Sequence, residues 1–167
     1  METYINIARA LGAVNIKAVT PDDIVFDGRT LLKCMFGCEN WGRAQGEFLK
    51  PWDFEPLLRQ YQTVLLIHAH DKKSAQAASL AIEREAYLDG DVMAFSMANC
   101  AICETCTAGT SCHDAASARP ALHSVGIDVF TTAKKLGLPL YPLREISETE
   151  NWYAAVWLSG IAANEGV

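Results

Sequence analysis

Four cysteines lie within thirteen residues in the second half of the chain, at Cys100, Cys103, Cys106 and Cys112. The first three recur at every third position, and the fourth follows a turn-forming stretch of Thr, Ala, Gly and Ser. Thiolate sulfur is a soft ligand that suits zinc, Cu(I) and iron–sulfur clusters. The spacing therefore predicts one metal site held by a single loop.

The spacing also bears on which metal this loop would bind. Zinc sites usually use two Cys-x2-Cys pairs that are separated by about 12 to 20 residues, and no such separation occurs here. Ferredoxin-type clusters use Cys-x2-Cys-x2-Cys-x3-Cys, in which the fourth cysteine ligates a second cluster. Here the last spacing is five residues and no proline follows Cys112. The pattern favours a [4Fe-4S] cluster, with zinc, disulfides and free thiols as alternatives.

Three further residues are candidates for supplementary ligands. Cys34 and Cys38 form a Cys-x3-Cys pair in a segment that reads as loop, and His113 is adjacent to Cys112. A histidine in that position can tune a centre or replace a thiol. Buried core thiols are the alternative interpretation of Cys34 and Cys38.

The remaining histidines and arginines have simpler interpretations. His68 and His70 share one face at the end of a predicted strand, where hydrogen bonding is favoured over metal binding. His123 is predicted to be at the surface or in packing. Arg43 and Arg119 are expected to balance nearby acidic charge. No nucleotide-binding, hydrolase or metalloprotease motif occurs, so no catalytic residue is predicted.

Composition bounds the class of protein. With 167 residues, half of them apolar, residues 1–167 are expected to form one metal-binding domain whose core does not depend on the metal. The net charge of -6 argues against nucleic acid as a partner. The first residues lack a signal-peptide pattern, and no run of about 18 apolar residues occurs. A cytoplasmic protein without membrane contact is predicted, in a compartment that disfavours disulfides.

Hydrophobic periodicity predicts the fold class. Helices are expected over residues 4–11, between Asp71 and Gly90, from Pro120 to Gly126 and from Asp128 to Gly137. Strands are expected over residues 14–18, 63–69, 92–97 and 152–158, whereas residues 21–56 show no clear period. In the first strand, Val14, Ile16 and Ala18 would form the buried face. The prediction is an α+β single domain with a mixed sheet of about four strands, helices packed on it, and the cysteine loop after a strand end.

Several spaced motifs together resemble the DUF2284 family of predicted metal-binding proteins. They cover most of the chain and follow one order: 23–27 (DIVFD), 32–34 (LKC) with Cys38, 41–43 (WGR), 83–85 (ERE), the four cysteines, Arg119-Pro120 and 126–129 (GIDV). The resemblance implies a cytoplasmic protein that binds metal through these cysteines, and it implies no reaction.

One departure from the family pattern affects the N-terminal cysteines. The family pattern has Cys-Pro-Pro after its Tyr-Gly-Arg region, whereas residues 46–51 of this chain read GEFLKP and contain no cysteine. A second complete cluster on Cys34 and Cys38 would then need water, a carboxylate such as Glu47, or a partner. The loop from Cys100 to Cys112 is therefore the one predicted to be complete.

The predicted function is an iron–sulfur protein that transfers electrons or assists a larger redox enzyme, with a redox partner protein. One alternative is a zinc-binding interaction module. The other is an enzyme of unknown reaction whose open-site metal lies among Cys34, Cys38 and His113.

Overall fold

A computed structural model describes residues 1–37, 54–104, 112–140 and 150–160. The helices in these ranges are α1 (Glu2–Ala10), α2 (Arg29–Gly37), α3 (Glu55–Leu58), α4 (Lys72–Leu88) and α5 (Val129–Lys135). The strands are β1 (Ala13–Val19), β2 (Thr63–Ala69), β3 (Phe95–Ala98) and β4 (Trp152–Leu158), and short 3-10 helices span Pro21–Asp23 and Leu122–Val125.

The four strands form one sheet in the order β1-β2-β4-β3. The α+β class and the strand number are thus confirmed. All three pairings are antiparallel, which corrects the prediction of a mixed sheet. Strand β4 lies between β2 and β3, and each neighbouring pair of strands runs in opposite directions. Ala13, Ala69, Ala98 and Trp152 consequently lie at one end of the sheet, which we call the loop end.

Two helical layers cover the sheet, one on each face. Strands β2 and β4 are central, and six of the seven residues in each are buried. Leu65, Ile67 and Val156 pack in one apolar cluster with residues of α1 and α4. Val64, Leu66 and Trp157 pack in a second cluster with residues of the Leu122–Val125 helix and α5. Continuous apolar strands are what burial on both faces requires.

The helix predicted between Asp71 and Gly90 is α4, which starts at the loop end of the sheet. Its buried stripe contains Ala75, Ala78, Ile82 and Ala86, at the spacing of a helical face. The Asp71 side chain caps the helix, because Oδ1 accepts a hydrogen bond from the Ser74 amide at 2.8 Å. The same chemistry starts α5, where Asp128 Oδ1 accepts from the Thr131 amide at 2.9 Å.

Removal of the α4 cap gives a first testable prediction. Asp71→Ala is expected to lower the free energy of unfolding by about 1 kcal/mol, since an N-terminal amide of the helix loses its acceptor. Asp71→Ser keeps an acceptor and should recover most of that loss. Urea denaturation followed by circular dichroism measures both, and equal losses for the two variants would contradict the capping role.

Three elements differ from expectation. In β1 the pairing register shifts between Ala13 and Asn15. Val14 and Ala18 are exposed, whereas Ile16 is partly buried against the apolar cluster of α1 and α4, and Asn15 contacts buried His68. The predicted buried face is therefore correct only at Ile16. Helix α2 lies within residues 21–56, for which the sequence predicted no regular element. Its Leu32, Met35 and Phe36 are exposed and form no buried apolar stripe, so periodicity did not reveal the helix.

Strand β3 is shorter than predicted. Val92 and Met93 are each 64% exposed and precede the strand, which begins at Phe95. Their apolar character resembled a strand face, but the Ala94 amide donates to the Asp91 carbonyl and closes a turn there. No helix in the described parts of the chain is long and apolar enough to cross a membrane.

Candidate metal centre

The cysteine loop begins directly after β3, as the sequence predicted. Cys100 lies two residues beyond the end of the strand at Ala98. The chain returns to the same place, because the Ala98 amide donates a hydrogen bond of 3.0 Å to the Pro120 carbonyl. The segment between them, which carries all four cysteines, is therefore closed at its base by the sheet.

Gln76 of α4 contacts both arms of this loop, the outgoing arm after β3 and the returning arm before Pro120. Its side-chain oxygen accepts a hydrogen bond from the Ala101 amide at 2.5 Å. Its side-chain nitrogen donates a longer one, 3.5 Å, to the Ser117 carbonyl. Ala101 is on the outgoing arm and Ser117 is on the returning arm. One buried amide group thus contacts both sides of the loop.

Glu83, two turns further along α4, fastens the returning arm. Its carboxylate forms a bidentate ion pair with Arg119, with Oε2–Nε and Oε1–Nη2 distances of 2.9 and 2.8 Å. Both side chains are largely buried, at 15% and 19% exposure. Oε2 also accepts hydrogen bonds from the Ser96 amide and hydroxyl on β3. The pair joins helix, strand and loop, and Arg119 balances acidic charge as expected.

Arg119 also orders the backbone that follows Cys112. Its Nη1 donates to the carbonyls of Ala116 and Ala118, at 2.7 and 3.0 Å. The Asp114 carboxylate accepts from the Ser117 amide at 3.1 Å, which closes the turn that precedes them. Residues 112–119 therefore have a defined path although they include neither helix nor strand.

The predicted ligands in this loop are only partly described. Cys100, Cys103 and Cys112 are half-buried, and Cys106 lies outside the described residues. Cys100 and Cys112 are free thiols. Within the ranges described, no three His, Cys, Asp or Glu side chains are grouped closely enough to hold a metal ion. The soft thiol donors on one fastened loop fit a thiophilic metal.

The structure does not bring the candidate supplementary ligands, Cys34 and His113, together among the residues that it describes. Cys34 is buried in α2, not in a loop as expected, and Cys38 lies outside the described residues, as do Arg43 and Glu47. His113 is exposed beside Cys112. Its position leaves the predicted role as a tuning or replacement ligand open.

Cys34 lines a cleft of about 570 Å³ between α2 and the segment from His123 to Phe130. Lys33 lies at the same cleft, as does the exposed ion pair of Arg29 and Asp27. His123 is half-buried against the cleft, and burial lowers its pKa below the usual value of 6.5. His123 therefore has the expected packing position, and it also lines the cleft.

His68 is a buried, fully hydrogen-bonded histidine, as the strand-end interpretation predicted. Asn15 Nδ2 donates to its Nδ1 at 2.9 Å, and its Nε2–H donates to Asn151 Oδ1 at 2.7 Å. The ring stacks on Tyr153 at 5.1 Å between centroids. These partners select the neutral tautomer with the proton on Nε2 and occupy both nitrogens. His68 is therefore a structural residue and not a metal ligand.

The pKa of His68 predicts how stability changes with pH. Burial lowers this pKa below 6.5, neighbouring His70 lowers it further, and the hydrogen bond to Asn151 acts in the opposite direction. Since the unfolded chain takes up the proton more readily, the stabilisation is complete above about pH 6.5 and is lost as the pH falls towards the folded-state pKa. The free energy of unfolding should decline from pH 7 to pH 5 less steeply in His68→Gln than in the wild type. Identical slopes in the two proteins would contradict this.

Two sequence motifs that are far apart in the chain meet beside the Leu122–Val125 helix. Phe26 and Ile127 form an antiparallel bridge. The Asp27 amide donates to the Gly126 carbonyl and the Asp128 amide to the Val25 carbonyl, each at 2.8 Å. Gly126 ends the 3-10 helix with φ of +89°, a conformation that glycine adopts without strain. The 23–27 and 126–129 motifs are thus one structural unit.

Comparison with known proteins identifies the class. A family model described as predicted metal-binding protein matches residues 17–158, which include every element from within β1 to the end of β4. This match makes the chain a predicted metal-binding protein. The chain belongs to the DUF2284 family. Neither the curated proteins nor the solved structures gave a match.

Sequence reasoning missed the role of Gln76 and of Glu83 at this site. Gln76 was not singled out, and Glu83 was named only as part of the 83–85 motif. The available signal was the spacing, since Gln76, Ser79 and Glu83 follow one another at intervals of three and four, beside the apolar stripe of α4. Gln76 and Ser79 are buried, so this polar stripe faces protein rather than solvent.

Proposed function

We propose that the protein carries one [4Fe-4S] cluster on the loop from Cys100 to Cys112 and transfers electrons, alone or as an accessory to a larger redox enzyme. The observation that carries the proposal is the loop itself. Three closely spaced cysteines and a fourth lie on one segment that β3 and α4 hold at its base. Single-loop thiol ligation of this kind is typical of cubane clusters.

The residues that would hold the cluster are Cys100, Cys103, Cys106 and Cys112. When bound, the cluster would supply one-electron transfer, with a potential set by hydrogen bonds and solvent exposure. The chain supplies the fixed frame. Gln76 holds the outgoing arm, while Glu83 and Arg119 hold the returning arm beside β3. Binding therefore requires little ordering of these two arms.

A protein partner and a reducing compartment fit this proposal. Cys100, Cys103 and Cys112 are half-buried and not fully enclosed, so a redox protein can approach them closely. A net charge of -6 favours a partner with a basic surface and disfavours nucleic acid. The cytoplasm keeps thiols reduced and available as ligands, which is why we place the protein there.

Electron paramagnetic resonance tests the cluster assignment. The protein is purified without oxygen, reduced, and measured beside a Cys106→Ser variant. We expect a brown protein whose absorbance bleaches on reduction, with the signal of a reduced cubane that the variant lacks. A wild-type protein that stays colourless after reconstitution with ferrous iron and sulfide would refute the cluster.

A zinc-binding interaction module is the alternative that the same thiols favour. Structural zinc sites are closed and four-coordinate, and a loop fastened at both arms suits one as well. Under that alternative, zinc should remain bound through purification from iron-supplemented cells, and chelation should loosen the loop.

A metal-dependent enzyme is the second candidate function, and the cleft between α2 and His123 favours it. A cavity of about 570 Å³ with a buried thiol and an imidazole has the size of a small-molecule site. Under this alternative, changing Cys34 and Cys38 to serine should abolish turnover of any substrate found. Unchanged turnover would exclude both residues from the chemistry.

A further inference from the structure

We propose that Gln76 is a positioning residue that sets the geometry of the cysteine ligands by joining the two arms of their loop. This inference rests on the proposed function, namely a metal centre on the loop from Cys100 to Cys112. It adds a residue that is not itself a ligand and that lies outside the loop.

The position of Gln76 restricts the loop at two points. The Ala101 amide that it binds belongs to the peptide bond that follows Cys100, so the contact fixes the backbone between Cys100 and Cys103. Its nitrogen reaches the Ser117 carbonyl, five residues after Cys112. Holding both groups on one side chain limits how far the first and last cysteines can separate.

The chemistry of the site requires glutamine specifically. The side chain is 3% exposed, in the second turn of α4 with Ala75 and Ala78 as neighbours in the helix. An apolar side chain of the same length would fill the space but bind neither arm. A glutamate could accept from Ala101 but could not donate to Ser117 when ionised, and its charge would repel thiolates. Among unbranched side chains of this length, only glutamine provides a donor and an acceptor together.

The expected loss of metal affinity can be estimated from other proteins in which a group orients a metal ligand without binding the metal itself. Loss of such a group typically lowers metal affinity by about 10- to 100-fold. Gln76→Met keeps the length and loses both hydrogen bonds, so it should show the full effect. Gln76→Glu keeps one acceptor but adds charge, so it should also bind more weakly than the wild type.

Metal release is the first readout. Wild type, Gln76→Met and the control Ile82→Val are reconstituted with ferrous iron and sulfide, and iron loss to a chelator is followed without oxygen. Ile82 is fully buried on the same helix and belongs to the apolar cluster, so its change matches a general loss of stability without altering a hydrogen bond to the loop. We expect release to be about 10- to 100-fold faster in Gln76→Met and similar to the wild type in Ile82→Val. Equal release by wild type and Gln76→Met would overturn the positioning role.

Amide hydrogen exchange of the metal-free protein is the second readout, and it does not depend on the cluster. The Ala101 amide should be protected in the wild type and exchange faster in Gln76→Met. Equal protection in both would overturn the contact itself. A wild type that retains neither iron nor zinc refutes the proposed function, and the positioning role with it. A wild type that retains metal as firmly as Gln76→Met does refutes the positioning role alone.

Discussion

Cys103→Ser is expected to remove nearly all bound metal while the protein stays folded. Cys103 lies two residues after Ala101, whose amide donates a hydrogen bond to Gln76, and it is half-buried. Serine is a harder and far less acidic ligand than a thiol, so it does not replace sulfur at a soft centre. Affinity should fall by about 100-fold or more, beyond the usual effect of a group that only orients a ligand. Metal analysis after incubation with a chelator measures the loss.

The fold should survive this change because the core is independent of the loop. Both apolar clusters are built from the sheet and its helices, and they contain none of Cys100, Cys103 and Cys112, the loop cysteines that the structure describes. The thermal midpoint of metal-free Cys103→Ser should therefore equal that of the metal-free wild type. Cys34→Ala serves as the thiol control, since Cys34 lies in α2 and lines the other cleft. Full metal retention by Cys103→Ser, or equal loss in Cys34→Ala, would contradict the assignment to one loop.

Trp157→Ala should have the largest effect on stability, lowering the free energy of unfolding by about 3 to 5 kcal/mol. Trp157 lies on central strand β4, is 0% exposed, and pairs with Val64 on one side and Phe95 on the other. Its ring also contacts that of Tyr61, at 5.9 Å between centroids. Truncation leaves a cavity that the surrounding strands and helices cannot fill. Urea denaturation at fixed pH gives the value.

Trp157→Phe is the matched variant. Trp157 Nε1 is the one buried side-chain nitrogen or oxygen in the described residues that has no hydrogen-bond partner. An unpaired buried donor costs about 1 to 3 kcal/mol, so phenylalanine removes a penalty while keeping most of the ring volume. The free energy of unfolding should fall by at least about 2 kcal/mol less in Trp157→Phe than in Trp157→Ala, because phenylalanine still fills most of the space that alanine leaves empty. Equal losses would show that packing of the ring is not what stabilises this region.

The parts of the fold that the sequence predicted are those where one local signal dominates. Strand β2 follows from an unbroken apolar run, and α4 from its Asp71 cap and regular apolar stripe. Strand β1 shows the limit, because Ile16 packs against an apolar cluster while Val14 and Ala18 are exposed, and its register shift is determined by pairing with β2. Helix α2 was not predicted, because its apolar Leu32 and Phe36 are exposed and do not follow the periodic pattern of a buried helix face.

The assignment of the four loop cysteines as ligands stays a prediction, and the residues that support their loop could not be predicted from the sequence. The four cysteines are close together in the sequence, so their spacing can be read from it directly. The contacts of Gln76 with Ala101 and of Glu83 with Arg119 join residues 25 and 36 positions apart. Such pairs depend on the packing of α4 against the loop, which the sequence order of motifs does not specify. The family resemblance included Glu83 and Arg119 without relating them to each other.

Iron and acid-labile sulfide per chain, measured on protein purified without oxygen from cells supplied with iron and zinc, tests the central claim most directly. The account predicts about four iron and four sulfide per chain for one [4Fe-4S] cluster, with little zinc. It also predicts that Cys103→Ser loses both together. Stoichiometric zinc without sulfide, lost in the same variant, would contradict the cluster and establish the zinc module instead.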